Sequence, residues 1–566
     1  MRHTPMFTNL PTSFSTRPNS TSKASQSSDV IIVGAGIAAL TAALEMCQAG
    51  KYLTILEREG DDRIGGQCQD AFGGIFLVDT PEQRRIGVHD SQELAWKDWL
   101  SYAEFDENDK FPRWWAQHYI ERCVPDVRNW MAKNGIHMFP LANWAERAHD
   151  GKGNRVPRFH LTWGCGPAIV KGVTRKLQPY LGQNLVILPY HRVDELIIEN
   201  GVVLGVRGVL TRPSLTNPQS PLEAISPDTD ETFELRAPHT IISAGGWTGN
   251  LDRARKQWPT SVWNDAPEDL LCGVWPNTDG HIHDEAVRAG GSIHNPSNMW
   301  VYAAGITHLQ PDYPGHGQAL IPVKSAIWAR SNGRRWNPPM LAGTDSRDAV
   351  ARICNDDHPW SWYIMNDAIL NREVAVQGAL YNKGFREKNL LYIAWRLLVG
   401  DLYAARAVRQ NPDVVRADSL EELAQKMQQL QPGVPLDVDG MIQDITAHDA
   451  EIRRGRKFYT DPQLEYLRNV RVFLNDKLRT TAFRPITGAL GNGKLLAIRV
   501  RPTVRKSLGG ILTDEHCRVV SDNGGVIPGL YAIGESTGFG GGGMHGARTL
   551  EGTLLGRCIL TARTVG

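Results

Sequence analysis

Asp29-Val30-Ile31-Ile32-Val33-Gly34-Ala35-Gly36-Ile37-Ala38-Ala39 decides the fold of this 566-residue chain. Val30 to Val33 is an unbroken run of β-branched residues, the composition of a parallel strand buried on both faces. Leu40 to Gln48 reads as a helix stopped at Gly50, and Tyr52 to Leu56 as a second strand ending on Glu57. Between them, Gly34 permits the tight turn, Gly36 lets the backbone approach a pyrophosphate, and Ala39 keeps the helix close to the strand. The helix N-terminus offers free N–H groups and positive dipole to the phosphates. Glu57, followed by Arg58, is spaced to accept hydrogen bonds from an adenosine ribose. Together these parts predict a dinucleotide-binding unit. The bland alternative is an ordinary βαβ unit with glycine turns.

Composition narrows the class. With 62 basic and 61 acidic residues the formal charge is +1, which gives no reason to expect nucleic acid as a partner. The 8 cysteines are scattered with no C-x-x-C spacing, and no His or acidic cluster calls for a metal. The longest apolar stretch, Val30 to Leu44, is interrupted by Gly34 and Gly36 and is too short to span a bilayer. A soluble, cytoplasmic protein is expected. Residues 1–28 contain Arg2, Arg17 and Lys23, no acid, and much Ser, Thr and Pro. They read as a disordered leader, with a transit peptide as the competing reading.

Further on, Arg63-Ile64-Gly65-Gly66-Gln67 puts a glycine pair just after the ribose acid. Near the other end, Gly529-Leu530-Tyr531-Ala532-Ile533-Gly534-Glu535 reads as turn, strand and acid. Gly540 to Gly543, Met544-His545-Gly546 and a helix starting at Leu550-Glu551-Gly552-Thr553-Leu554 follow. A carboxylate at a strand end can bind a ribityl hydroxyl. A glycine-rich helix start can place N–H groups where negative charge develops on a reduced flavin.

These residues resemble the fumarate reductase/succinate dehydrogenase flavoprotein superfamily, and within it the 3-ketosteroid Δ1-dehydrogenase-like enzymes. The match extends through Phe72-Gly73-Gly74, Thr80, Gln83, Gly87-Val88-His89-Asp90-Ser91, Ile241-Ile242-Ser243-Ala244-Gly245-Gly246 and Leu508-Gly509-Gly510 to Asp514. The resemblance implies FAD as cofactor and an α/β architecture: a discontinuous Rossmann-like FAD-binding domain (29–295 and 485–566) with an inserted α+β cap or substrate domain (296–484). Asn295-Pro296 and Asn337-Pro338-Pro339 mark breaks there. Leu420 to Gln431 and Met441 to Phe458 have helical spacing, Val193 to Val209 is a hairpin, and Leu210 to Thr232 is expected as an exposed loop. The implied cofactor contacts are Gly34, Gly36, Ala39, Glu57, Arg58, Gly65, Gly66, Gln67, Gly73, Gly74, Val193, Ala244, Gly245, Gly246, Gly534, Glu535, Leu550, Gly552, Thr553 and Leu554.

The catalytic positions depart from both branches of that superfamily. Thr503-Val504-Arg505-Lys506-Ser507 stands where fumarate reductases carry histidine, and Ala497 to Pro502 lacks the steroid dehydrogenases' tyrosine. In His545-Gly546-Ala547-Arg548-Thr549 the arginine comes one residue early, and one residue turns a helical side chain by about 100°. Candidate catalytic groups are therefore taken by position: His545, Arg548, Arg505 and the cap's Tyr363. Lys506 and Arg347 are weaker candidates, and solvated charge is the alternative for Arg505 and Lys506. Trp114, Trp115, Trp144, Trp163, Trp300, Trp328, Trp336, Trp360 and Trp362 suggest walls for a bulky apolar ligand; packing is the alternative.

The expected function is FAD-dependent oxidation of a CH–CH bond next to a ketone, in a 3-ketosteroid or terpenoid, with hydride passing to flavin N5. The partners are a small apolar substrate and an unassigned electron acceptor. The alternatives are reduction of an unsaturated carboxylate, as in fumarate reductase, or a flavin-binding protein without turnover.

Overall fold

The computed structural model describes residues 28–566 except 149, 216–217, 322–323, 342, 471, 474–482 and 489–492. The leader expected over residues 1–28, transit peptide or not, lies outside the described residues apart from Ser28. The framework runs β1 (Val30–Val33), α1 (Ile37–Gln48), β2 (Leu53–Leu56), β3 (Leu185–Leu188), β4 (His191–Glu199), β5 (Val202–Thr211), β6 (Asp228–Arg236), β7 (His239–Ile242), β8 (Met299–Thr307), β9 (Gly317–Ile321), β10 (Ile327–Arg330), β11 (Ser361–Asn366), α2 (Leu390–Val399), α3 (Leu420–Leu430), α4 (Val438–Arg454), β12 (Leu495–Ser507), β13 (Arg518–Val520), β14 (Val526–Ala532) and α5 (Thr553–Val565).

The first sheet has the order β13-β14-β7-β1-β2-β3. Its pairs are parallel except β13 with β14, and all four residues of β1 are buried, as an apolar run covered on both faces requires. Gly34 follows β1 at φ +94°, and a Cβ there would lie 2.6 Å from the Ser243 carbonyl oxygen, so only glycine fits between β1 and β7. Ala39 is fully buried under α1, holding the helix against the sheet.

Beside this core, Thr80 and Gln83 form a reciprocal capping box on the helix that starts at Pro81. The fully buried Arg158 joins Asp90 at 2.7 Å and Asp98 at 2.6 Å. β4, β5 and β6 form an antiparallel meander. The hairpin is as the sequence suggests, but the expected loop is shorter, because β6 begins at Asp228 and pairs along β5.

The second sheet has eight strands, centred on β12, which pairs with β8 and β11 and also with Leu271–Cys272 and Val414–Ala417. β12 stays paired with β8 to its end, where Lys506 and Ser507 also meet Glu535, just beyond β14 of the first sheet. α3 falls where the periodicity puts it, whereas α4 starts three residues before Met441 and stops at Gly455 with φ +91°, short of the expected end at Phe458. The last helix starts at Thr553 rather than Leu550, capped by Gly552 at φ +95°. No helix among the described residues is long and apolar enough to cross a membrane.

Candidate active site

A cavity of about 1470 Å³ runs from the end of β1 to the rim of α2. That is more than one small ligand fills, since ligand pockets span about 300–1,000 Å³. At one end the N-terminus of α1 opens into it. Gly36 is the N-cap, no side chain caps the helix, its first turn carries no acid, and a Cβ on Gly36 would meet nothing within 4 Å. Unpaired N–H groups and positive dipole therefore face open space, the arrangement a pyrophosphate needs. Glu57 ends β2 beside it, its carboxylate accepting from Ala35 N at 2.9 Å and Glu59 N at 3.0 Å. Burial pushes its pKa up to about 7 against those two bonds. Arg58 pairs with Asp279 at 3.1 Å across the opening, and Val193 of β4 forms the wall.

In the middle, Lys506 reaches Glu535 at 3.0 Å and also contacts Gln67. Ser507 N donates to the other Glu535 oxygen at 3.3 Å. A Cβ on Gly246 would collide with Ser507 Oγ and lie 2.6 Å from Glu535, so this glycine lets the carboxylate come close. Gly65, Gly66, Gly73, Gly74, Ala244, Gly245, Gly534, Gly552 and Leu554 line the same space. Alternation along a strand would send Arg505 and Lys506 to opposite faces. A bulge prevents it: Trp300 pairs with Lys506 and Val301 with Val504, leaving Arg505 as the extra residue, and both side chains reach the cavity. Neither is a solvated surface charge.

Beyond lies a polar group that the sequence did not single out. The Tyr302 hydroxyl donates to Glu551 at 3.1 Å and accepts from Gln377. Burial raises the pKa of both Tyr302 and Glu551, while the Arg505 charge pulls each back. A half-buried carboxyl held above its ordinary range, bonded to a neutral phenol and near a guanidinium, is suited to proton transfer. The signal in the sequence is faint: Glu551 reads only as part of a helix start, and Tyr302 and Gln377 stand in no motif.

Three of the four residues chosen as catalytic do not line this cavity. His545 is fully buried, stacked on Trp99 at 6.0 Å, with Nε2 2.6 Å from Thr553 Oγ1. Burial holds it neutral, well below the usual histidine pKa. Arg548 is tied to Glu104 and to Asp345 at 3.1 Å. Tyr363 lies in β11 against Trp328, beside a separate cavity of about 40 Å³. Arg505 alone faces the main cavity. Arg347 lies instead over the Trp263 ring and donates to Ala547 O at 3.2 Å. Of the proposed cofactor contacts, Ala39, Leu550 and Thr553 pack behind the wall rather than along it. The tryptophans divide the same way. Trp144 and Trp328 line the cavity, as does Trp275, whereas Trp115, Trp300, Trp336, Trp360 and Trp362 are core residues. Trp163 packs behind Phe139 and Phe385, and Trp114 is exposed.

The FAD binding domain family matches residues 29–555. The chain belongs to that family. The flavoprotein is 39% identical over 533 residues to a KsdD-like steroid dehydrogenase of Mycolicibacterium smegmatis, covering 93% of this chain and 96% of that one. A fumarate reductase (cytochrome) of Shewanella frigidimarina is more distant, 22% identical over 95% of this chain and 76% of its own. In fold, the flavoprotein is similar to a solved 3-ketosteroid Δ1-dehydrogenase from Sterolibacterium denitrificans. Their TM-score is 0.67 at 16% identity, over 95% of this chain and 98% of the other. The flavoprotein is an FAD-dependent dehydrogenase.

Proposed function

We propose that this flavoprotein oxidises a CH–CH bond next to a ketone in an apolar polycyclic substrate of the 3-ketosteroid or terpenoid kind. The observation that carries the reading is the Tyr302–Glu551–Gln377 group in the wall of the glycine-lined cavity. The steroid dehydrogenase relative, 39% identical over nearly the whole chain, supports the substrate class. Aromatic walls at Phe139, Trp144, Phe159, Trp328 and Phe385 support a bulky apolar ligand.

FAD fits the glycine cradle. Gly34, Gly36 and the α1 N-terminus would take the pyrophosphate, and Glu57 the ribose, with Arg58 and Val193 beside it. Gly65, Gly66, Gln67, Gly73, Gly74, Ala244, Gly245, Gly246, Gly534, Glu535, Gly552 and Leu554 would enclose the rest. Lys506 would supply positive charge there. Bound FAD supplies the hydride acceptor at N5. Glu551 takes the proton from the carbon next to the ketone. Tyr302 donates to that carboxylate and Gln377 fixes the phenol. Arg505 offsets the negative charge that builds on the ketone oxygen. Residues 296–484, which supply most strands of the second sheet and the helices packed on it, would act as the cap, with β12 passing through that sheet from outside the segment.

A dicarboxylate reductase would need cations free to grip two carboxylates. Arg548, the arginine closest to that pattern, is spent on Glu104 and Asp345. The deciding experiment is anaerobic mixing of purified holoenzyme with 3-ketosteroids and with succinate while flavin absorbance is followed. Bleaching by a ketosteroid, with a 1,2-desaturated product, is expected. Reoxidation of the dithionite-reduced enzyme by fumarate, with no response to ketosteroids, overturns the reading.

A further inference from the structure

α2, Leu390-Leu391-Tyr392-Ile393-Ala394-Trp395-Arg396-Leu397-Leu398-Val399, has nine uncharged residues out of ten, and none is buried. Leu391 is 84% exposed and Leu398 73%, and Leu390, Trp395, Leu402 and Tyr403 extend the patch. A ten-residue apolar helix left uncovered needs an occupant, because exposing this many leucines together is unfavourable. Two further observations say what it is. First, the helix is part of the cavity rim: Ile393, Arg396 and Leu397 line the cavity, and Leu397 is also 48% exposed. Second, its surroundings are cationic. From Lys383 to Arg406 there are five basic residues, Lys383, Arg386, Lys388, Arg396 and Arg406, against two acidic ones, Glu387 and Asp401. Asp401 is buried and neutralised by Arg396 at 2.9 Å, so the exposed balance is positive.

We propose that α2 docks on an anionic lipid surface, lying in the interface plane with Leu391 and Leu398 inserted among acyl chains. The composition of the patch suits that geometry: Trp395 and Tyr403 are amphipathic rings of the kind that sit at the headgroup level, and Lys388 and Arg406 flank the leucines. The cavity would then open on to the membrane, so that an apolar substrate enters from the lipid without crossing water. The delivery role rests on the apolar-substrate reading above; the docking does not. A second copy of the chain is the other occupant such a face could take, but a dimer seam would close the rim at Leu397.

The test is co-sedimentation of the holoenzyme with vesicles of phosphatidylcholine and phosphatidylglycerol, at roughly three to one, and with vesicles of phosphatidylcholine alone. The wild type is expected to pellet with the anionic vesicles and less with the neutral ones. The double variant Leu391→Glu/Leu398→Glu should lose partitioning on the order of 100-fold, about tenfold per leucine. Both residues point to solvent, so flavin content, melting temperature and turnover of a detergent-dispersed substrate should stay unchanged. Lys388→Glu/Arg406→Glu should weaken binding to the anionic vesicles alone. Wild-type protein that stays in the supernatant, or a leucine variant that pellets as well as wild type, overturns the proposal. So does a lipid-free dimer that the leucine variant dissociates, which assigns the face to a second copy. Vesicle binding is read without turnover. A failed ketosteroid assay with intact vesicle binding therefore removes only the delivery role.

Discussion

The phenol of Tyr302 and the carboxyl of Glu551 meet at 3.1 Å, although 249 residues separate them in the chain. Tyr302 comes from a strand of the second sheet and Glu551 from the turn before α5. If this pair moves the substrate proton, Tyr302→Phe and Glu551→Gln should each lower kcat by about 10²- to 10⁴-fold. FAD content should be retained, and the double variant should be little worse than the poorer single, as for groups acting together. Stopped-flow bleaching of the flavin measures this. Retention of kcat in Glu551→Gln would remove the carboxylate from the chemistry.

The pH profile gives a second, independent reading of the same group. A base must be ionised, so the rate should rise with pH and level off above the Glu551 pKa, which burial places above the ordinary glutamate range of about 4.3. Because Arg505 lowers that pKa, Arg505→Met should move the limb to higher pH as well as slow the reaction. A limb that stays in place in Arg505→Met separates the two residues.

Glu57 should make FAD binding pH-dependent. Its folded pKa is raised to about 7, so the apoprotein gains stability from the protonated carboxyl at low pH and loses it as pH climbs from about 4.5 through about 7. Ribose hydroxyls donate to the anion, so FAD affinity should move the opposite way and tighten up to about pH 7. Glu57→Gln should flatten both trends and weaken FAD by about 10- to 100-fold, the value of a charged hydrogen bond. Apoprotein melting curves and flavin fluorescence titration check each half.

Arg158 bridges Asp90 and Asp98 with no solvent exposure on its side chain. Arg158→Met leaves two buried carboxylates facing each other and should cost about 3–5 kcal/mol. Urea denaturation measures it. A loss below about 1 kcal/mol would mean that the two acids recruit water or take up protons freely.

The first βαβ unit was legible because everything it needs is local: the β-branched strand, Gly34, the α1 start and Glu57 lie within thirty residues. The proton-handling group was not. Tyr302, Gln377 and Glu551 are brought together by the second sheet and the turn before α5, and no spacing in the chain foreshadows them. His545 misled for the opposite reason, since glycines around a histidine suggest a ligand pocket, whereas here Gly541, Gly542 and Gly546 let the backbone approach Phe111, His294 and Ala103, and the histidine ring packs on Trp99 and Phe539. Arg505 and Lys506 were found next to each other in sequence, but only the bulge opposite Trp300 and Val301 explains how both reach one cavity.

β12 has a mechanical consequence. Over thirteen residues it is laced to β8, β11 and two shorter strands, and its last residues meet Glu535. Tyr302, Arg505 and Lys506 thus ride on one two-strand ribbon, and their mutual spacing is set by paired backbone. Glu551, carried by the turn before α5, joins that ribbon through its bond to Tyr302, so the carboxylate and the two cations are aligned by backbone pairing and one side-chain hydrogen bond.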